Sequence, residues 1–343
     1  MPVEGVKAVG ASIRAVATFL PEAVLTNDAL AEVFEQSWPA ARILEKTGIA
    51  ERRIAAPDQT ALDLGVGAVR RLFDAGHDPA AIDFLIFCSQ APDYILPSSA
   101  CLLQDRAGLP RSIGALDINV GCAGFVYGLA LATGLIASGA AREVLLVTAD
   151  TYSRFIHPGD RSVRTLFGDG AAATLIAADD KATIGPFVFG TDGRGADRLI
   201  VESGGARLRR SEATRAERTD EFGNVRSRDN LFMDGGAVMS FTLREVPAMW
   251  AELKARTGLE DADFDQVLLH QANRFMLDAL VKKLKLDPAK VPYFFEKIGN
   301  TVASSIPFVL EDALAAGTIG PGSRVGMLGF GVGLSWAGCV AQF

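Results

Sequence analysis

The sequence predicts an α/β fold built from two similar halves. Short continuous apolar runs at residues 82–88 and 144–148 are typical of strands buried on both faces of a largely parallel sheet. The second half repeats the order of the first: residues 262–272 resemble residues 81–91, and both strands end in Gln-Ala. Because this repeat keeps its order and spacing, we expect two α/β units related by a pseudo-twofold axis.

The composition limits the class of protein. The 343 residues carry a formal net charge of −7, which argues against a nucleic-acid-binding protein. No apolar run is long enough for a membrane span, and the N-terminus lacks a signal-peptide pattern. The four cysteines form no close pair and there are only three histidines, so we expect reduced thiols, no metal site and a cytoplasmic location.

The elements of the first half follow from local patterns of apolar residues, caps and turns. They are a strand at 6–19, a helix capped by Asn27 and Asp28 and running to Phe34, a short helix before Thr47, a helix at 61–74 capped by Thr60, a strand at 82–88, a helix at 97–107, a strand that enters a helix at 116–128, and a strand at 144–148.

The rest of the chain is expected to repeat this plan. Residues 165–176 predict two strands joined at the Gly168-Asp169-Gly170 turn. A glycine-rich strand-to-helix turn follows the repeated strand in each half, at Gly121-Cys122 and at Gly299-Asn300. A final buried strand is expected at 325–328.

Cys122 is the first candidate for chemistry. Its small neighbours Gly121, Ala123 and Gly124 let a substrate approach closely, and a thiol where a helix begins has a lowered pKa that makes thiolate available. The alternative is a buried structural cysteine, which fits Cys88, Cys101 and Cys339.

His270 and Asn300 are the candidates in the second half. Ligands collect beyond the carboxyl ends of strands in such sheets, and His270 follows one of these ends while Asn300 lies in the turn equivalent to that of Cys122. If the halves pack face to face, the three residues converge. A structural histidine and a helix-capping asparagine are the alternatives.

Several motifs together resemble the thiolase-type condensing enzymes, and most closely the β-ketoacyl-acyl-carrier-protein synthase III group. They are Thr47-Gly48-Ile49, residues 121–125, residues 167–171, His270-Gln271-Ala272-Asn273, Gly299-Asn300-Thr301 and residues 331–336. The resemblance implies a five-layered αβαβα thiolase fold, with one half at 1–180 carrying the cysteine and the other at 181–343 carrying the histidine and asparagine. It also implies a homodimer.

The same resemblance implies the chemistry. Cys122 would take an acyl group from acyl-CoA or acyl-ACP, with backbone N–H groups of Cys122 and Val332 as the oxyanion hole. His270 and Asn300 would then stabilise the enolate formed when malonyl-ACP loses carbon dioxide. No cofactor is implied beyond these substrates, and the product would be a 3-oxoacyl thioester for fatty-acid or polyketide synthesis.

The chain departs from the group's pattern around the substrates. The coenzyme A side has Arg42 and Lys46 where the group has tryptophan and arginine, whereas Arg161 matches. Phe275 replaces an arginine, with Arg274 one place earlier. Leu96 replaces the aromatic residue that the partner subunit inserts into the acyl pocket. An arginine-rich insertion at 204–230 is expected to be a mobile solvated loop, with a contribution to docking as the other reading.

A basic patch is expected for an acidic acyl carrier protein. Arg274, Lys282 and Lys283 lie close to His270 in sequence and are the candidates, with a solvated helix face as the alternative. Two other functions stay open for the whole chain. One is acyl transfer from Cys122 to an oxygen or nitrogen acceptor without decarboxylation, and the other is a non-catalytic partner subunit.

Overall fold

Two mixed β-sheets form the frame of the molecule. The structure is a computed structural model, and it describes residues 10–35, 37–181 and 183–343. The strands are β1 (Gly10–Phe19), β2 (Ala23–Thr26), β3 (Glu51–Ile54), β4 (Phe84–Cys88), β5 (Gly114–Ile118), β6 (Glu143–Asp150), β7 (Gly170–Asp179), β8 (Ile184–Thr191), β9 (Leu199–Val201), β10 (Arg218–Thr219), β11 (Val225–Arg226), β12 (Leu231–Met233), β13 (Gln266–Leu269), β14 (Arg324–Gly331) and β15 (Ser335–Gln342).

Ten α-helices connect and cover these strands within the described residues. They are α1 (Asn27–Val33), α2 (Ala40–Thr47), α3 (Ala61–Asp74), α4 (Ser99–Arg106), α5 (Gly124–Ala137), α6 (Arg161–Arg164), α7 (Glu212–Arg215), α8 (Gly235–Thr257), α9 (Arg274–Leu284) and α10 (Ser305–Ala315).

The two sheets repeat one topology. The first has the order β1-β7-β6-β4-β5 and the second the order β8-β15-β14-β13. In both, the first two pairs are antiparallel and the third pair, β6 with β4 or β14 with β13, is parallel. The first sheet adds β5, parallel to β4 at its edge. The placement of a domain boundary between residues 180 and 181 stays a prediction.

Helices separate and flank the sheets in five layers. Helix α5 packs against β4 and β6 of the first sheet and against β14 and β15 of the second, and α10 packs between the sheets against β1, β7 and β13. Helix α3 covers the outer face of the first sheet, and α8 with α9 covers the second. Because α5 is buried against both sheets, it is apolar on nearly all sides. The predicted αβαβα arrangement is confirmed.

Local sequence rules predict some helices well and others only in part. Helix α3 begins and ends where predicted, with Thr60 and Asp63 forming a reciprocal capping box. For α1 the predicted cap is wrong: Thr26 accepts the capping bond, and Asn27 is drawn inward because its Oδ1 accepts a bond from the buried Arg52 guanidinium. Residues 6–9 of the predicted first strand lie outside the described residues.

Two predicted turns have a different structure. Residues 165–176 do not form two strands: only β7 is a strand there, and Gly168 and Asp169 precede it with Phe167 bridged to Asn300. No strand leads into Gly299-Asn300 either. Asn300 is held by this single bridge and a short 3₁₀ turn leads into α10. Long-range pairing therefore replaces the local hairpin and strand.

The insertion at 204–230 is not one irregular loop, and its mobility stays a prediction. Five of its arginines are exposed, as expected of a solvated segment: Arg207, Arg209, Arg210, Arg215 and Arg218. The insertion contains α7 and the β10–β11 hairpin. Arg226 joins the hairpin to the body of the protein, with Nε 2.6 Å from Asp160 and Nη2 2.8 Å from Asp220. Since Asp160 is fully buried, this ion pair anchors the insertion beside α6.

Cys88 and Cys339 are buried as expected of structural cysteines, but Cys101 is exposed on α4. No helix among the described residues is long and apolar enough to cross a membrane.

Candidate active site

Cys122 lies between β5 and α5, in a turn with no room for larger side chains. A Cβ atom on Gly121 would come within 2.5 Å of Val332, and one on Gly124 within 2.4 Å of the Cys88 sulfur. From the other half, a Cβ on Gly331 would come within 2.9 Å of the Cys122 sulfur. The thiol is thus enclosed by the β14–β15 turn and is only 5% exposed.

The state of this thiol differs from the expected one. Burial, with the Asp150 carboxyl nearby as a second cause, raises the pKa of Cys122 to about 12, so the expectation of a thiolate at neutral pH is wrong. Helix α5 begins two residues beyond Cys122, but burial is the largest cause of the shift and acts in the direction opposite to a helix dipole. Hydrogen bonds from the backbone of Cys122 and Val332 favour the thiolate only in part.

His270 follows the carboxyl end of β13 and is 2% exposed. Its Nδ1 lies 2.7 Å from the Ser305 hydroxyl, and its ring meets Phe330 edge-on with centroids 5.5 Å apart. Burial lowers the pKa of His270 to about 3, against a backbone hydrogen bond with Val302 that raises it. The imidazole is therefore neutral at physiological pH and forms no ion pair with Cys122.

Asn300 is fixed by its backbone and its side-chain oxygen. Its N–H donates to Leu166 and its carbonyl accepts from Gly168 at 3.0 Å, while Oδ1 accepts from the Val302 N–H at 2.9 Å. Because Oδ1 is occupied, the amide nitrogen must face the other way. The residue that bonds the Asn300 carbonyl has to be a glycine, since a Cβ on Gly168 would lie 2.0 Å from the Ile298 carbonyl oxygen.

Two nitrogen donors can meet at one point in this arrangement. Asn300 Nδ2 lies 3.5 Å from His270 Nε2, too far for a strong hydrogen bond. When the Ser305 hydroxyl donates to Nδ1 of His270, the ring proton is on Nε2. His270 Nε2 and Asn300 Nδ2 are then both donors. A single oxygen between them would accept both bonds, which suits an enolate or thioester oxygen.

A cavity of about 270 Å³ joins the three residues. Cys122, His270 and Asn300 line it together, and so do Lys46 and the exposed Phe275. The other walls are mostly apolar and are formed by Leu166, Phe167, Leu199, Met233, Val238, Met239, Met276 and Phe330. The site thus offers a nucleophile, two donors and an apolar channel.

The two arginines predicted to contact the substrates, Arg161 and Arg274, lie close to other residues of this chain. Arg161 is not among the residues that line the cavity; its guanidinium donates to Ser37 and to the Phe222 carbonyl of the insertion. Arg274 packs over Gly48 and lies 3.9 Å from Glu296. Arg161, the arginine expected to bind the adenine side of coenzyme A, is therefore hydrogen-bonded within its own chain.

The remaining predicted residues are on the surface. Lys282 and Lys283 are exposed in the last turn of α9, about 11 Å along the helix from Phe275. Leu96 is 79% exposed in a segment with Tyr94 and Ile95. Neither group contacts the cavity within this chain.

Several residues that complete the site were not predicted from the sequence. Ser305, which bonds His270, lies in a run of small residues at the start of α10 and carries no distinctive signal. Phe167 lies in one of the quoted motifs and Phe330 directly precedes another, but neither was predicted to line the site. Met233, Val238 and Met239 come from the segment after the insertion and meet the cavity only through the fold.

The raised pKa of Cys122 predicts a particular pH profile for alkylation. Only the thiolate reacts, so the rate constant for iodoacetamide at Cys122, followed by peptide mass spectrometry, is expected to rise about tenfold per pH unit from pH 7 to 10 without levelling off. Glutathione, with a thiol pKa near 8.5, is the reference and levels off. A plateau for Cys122 near neutral pH would contradict the neutral-thiol state.

Comparison with known proteins gives matches along most of the chain. A family model described as 3-oxoacyl-[acyl-carrier-protein (ACP)] synthase III matches residues 116–193, and the model of the C-terminal part of the same family matches residues 254–343. A β-ketoacyl-[acyl-carrier-protein] synthase III of Caldanaerobacter subterraneus is 36% identical over 340 residues, covering 98% of both chains.

The chain belongs to the 3-oxoacyl-ACP synthase III family. A crystal structure of a 3-oxoacyl-(acyl-carrier-protein) synthase III is similar with a TM-score of 0.96 and 55% identity, over 97% of this chain and 100% of that one. A 3-oxoacyl-(acyl carrier protein) synthase from Burkholderia xenovorans LB400 has a TM-score of 0.89 and 39% identity, over 97% and 94% of the two chains. The predicted family and its thiolase fold are confirmed.

Proposed function

We propose that this synthase III family member is a condensing acyltransferase that forms a 3-oxoacyl thioester in fatty-acid or related polyketide synthesis. An acyl group passes from a thioester to Cys122 and is then joined to the carbanion that malonyl-ACP yields on losing carbon dioxide. The observation that carries the proposal is the shared cavity in which the enclosed thiol of Cys122 faces the paired donors of His270 and Asn300.

The first step is a thioester exchange at Cys122. Its sulfur bonds to the acyl carbon, the donor thiol leaves, and the proton of Cys122 leaves with it. The negative oxygen of the tetrahedral intermediate would accept bonds from the backbone N–H groups of Cys122 and Val332, which already point at the sulfur. Because the resting thiol is neutral, its proton has to be lost during this step.

The second step uses the neutral state of His270. As malonyl-ACP loses carbon dioxide, negative charge builds on its thioester oxygen, and N–H donors from His270 and Asn300 stabilise it. The carbanion attacks the acyl carbonyl, the C–S bond to Cys122 breaks, and the sulfur regains a proton. A neutral imidazole suits this role because its N–H can donate a hydrogen bond while the buried ring carries no charge.

The substrates reach the site by the cavity mouth. We propose Lys46 as a phosphate contact, and Arg274 with Lys282 and Lys283 as a docking patch for the acidic carrier protein. For Arg161 to contact coenzyme A, its hydrogen bond to the Phe222 carbonyl has to open. Acyl-CoA and malonyl-ACP act as substrates, and the steps above need no other cofactor or metal. Free thiols at the four cysteines support a reducing, cytoplasmic location.

Carbon dioxide release tests the condensation. With an acyl thioester and malonyl-ACP, we expect carbon dioxide and 3-oxoacyl-ACP in equal amounts by mass spectrometry. Acyl transfer to an oxygen or nitrogen acceptor would release none and would overturn the condensing role. The failure of any thioester to acylate the wild-type protein would favour a non-catalytic subunit.

We also propose a homodimer in which Leu96 enters the partner's acyl pocket. Strand β5 is an open sheet edge on which Leu116 is 37% exposed, and Ile95 beside Leu96 is 94% exposed. An apolar segment and an unpaired strand edge in one chain are features of an interface.

The dimer is tested by size. Leu96→Asp is expected to weaken association at least tenfold, because a carboxylate would be buried at the interface, and to give monomer in sedimentation velocity. Phe222→Asp, at a 72% exposed phenylalanine outside the segment, should leave the dimer intact. A Leu96→Asp protein as dimeric as wild type would contradict the proposal.

A further inference from the structure

A second cavity lies next to the active site and shares the ring of Phe167 with it. Its volume is about 200 Å³, room for roughly six water molecules. Leu25, Ile54 and Ile156 contribute apolar walls, and Arg154 and Arg164 contribute the cationic groups. Phe167 and Ile156 are buried whereas Arg154 is exposed, so the cavity runs from the surface to the Phe167 ring.

Within the described part of the chain, Arg164 has no partner for its charge. Its Nε atom is buried without a hydrogen bond, and among the residues that the structure describes no carboxylate lies within ion-pair distance of its guanidinium. Burial lowers its pKa. A half-buried guanidinium whose Nε lacks an acceptor is costly, and an anion in the cavity would remove this cost.

Two other charged side chains in this region, Arg154 and Asp169, already hydrogen-bond to other parts of the protein. Arg154 Nη2 donates to the carbonyls of Ala56 and Gln59, which ties down the loop at the cavity rim. The buried Asp169 accepts bonds from Ala55 and Ser153. Arg164 is therefore the cation that is left to receive a ligand, with Arg154 adding favourable potential.

We propose that this cavity binds a small aliphatic monocarboxylate, with its carboxylate on Arg164 and its tail against Leu25, Ile54 and Phe167. A guanidinium matches a carboxylate in two parallel hydrogen bonds, and the apolar walls suit a short alkyl chain. A phosphate dianion fits less well, because a single unpaired guanidinium in apolar surroundings would not replace its hydration.

The ligand would report on the active site through one short segment. Phe167 separates the two cavities, and its neighbours Leu166 and Gly168 hold the backbone of Asn300 from both sides. A tail packed on Phe167 would stabilise this segment. The amides of Gly168 and Asn300 are thus expected to exchange with deuterium more slowly when the cavity is filled.

The test is butyrate binding by calorimetry to protein whose Cys122 is alkylated at alkaline pH in a Cys101→Ser background, which leaves less room for the probe in the active-site cavity. We expect one site with a Kd on the order of 1–10 mM. Arg164→Met should weaken binding at least about tenfold, Arg164→Lys less, and Arg209→Met, at an exposed arginine outside the cavity, not at all.

Three results would overturn the proposal: no butyrate binding, equal binding to Arg164→Met and wild type, or tighter binding of inorganic phosphate than of butyrate. Circular dichroism and the melting temperature confirm that each variant is folded, and Arg164→Lys serves if Arg164→Met is not. The condensation itself does not depend on this site, so none of these outcomes bears on the proposed function.

Discussion

Cys122→Ala is expected to abolish the acyl-enzyme and to lower condensation by at least about 1,000-fold. The reason is that no other sulfur reaches the cavity shared with His270 and Asn300 among the residues the structure describes, apart from methionine thioethers that form no thioester. Intact-protein mass spectrometry after incubation with a panel of acyl-CoA and acyl-ACP thioesters measures the adduct, and the donor that gives it identifies the acyl group.

The matched control is Cys101→Ala. Cys101 is the exposed cysteine, so it is the thiol that chemical acylation without a binding site would modify. Its loss should leave the adduct and the turnover at wild-type levels. An adduct that persists in Cys122→Ala and is absent from Cys101→Ala would contradict the role of Cys122.

His270→Ala and Asn300→Ala are each expected to slow condensation about 100-fold to 1,000-fold while Cys122 is still acylated. The two side chains donate to the oxygen that gains charge during decarboxylation, and the oxyanion hole for acylation consists of backbone N–H groups instead. Rapid-quench measurement of the acyl-enzyme and of carbon dioxide release separates the two steps.

The control for this pair is Asn273→Ser, which changes another amide on the cavity wall and keeps a residue that can cap α9. Little change in carbon dioxide release is expected from it. Asn300→Asp, by contrast, keeps the shape of Asn300 and loses the donor, so it should be as slow as Asn300→Ala. Wild-type condensation in Asn300→Asp would refute the donor role.

The sequence predicted best what local rules determine. Thr60 and Asp63 cap α3 by contacts within one turn, and the apolar runs that become β4 and β6 need no partner to be recognised as buried strands. The convergence of Cys122, His270 and Asn300 followed from the repeat, since equivalent turns in two similar units face each other when α5 and α10 share the central layer.

What depended on distant packing could not be predicted. The pKa of Cys122 is determined by enclosure from Gly331 in the other half and by Asp150 at the end of β6, and neither effect appears in the turn that carries the thiol. The anchoring of the insertion could not be predicted for the same reason, because Arg226 is bound to the buried Asp160 more than sixty residues earlier.

The most direct test of the account is a single-turnover chase. Wild-type enzyme is first acylated at Cys122, freed of excess donor, and then mixed with malonyl-ACP while the intact mass of both proteins is followed. We expect the Cys122 adduct to disappear as 3-oxoacyl-ACP and carbon dioxide appear in equal amounts. An adduct that stays on Cys122 in the presence of malonyl-ACP, or leaves without carbon dioxide release, would contradict the proposed condensation.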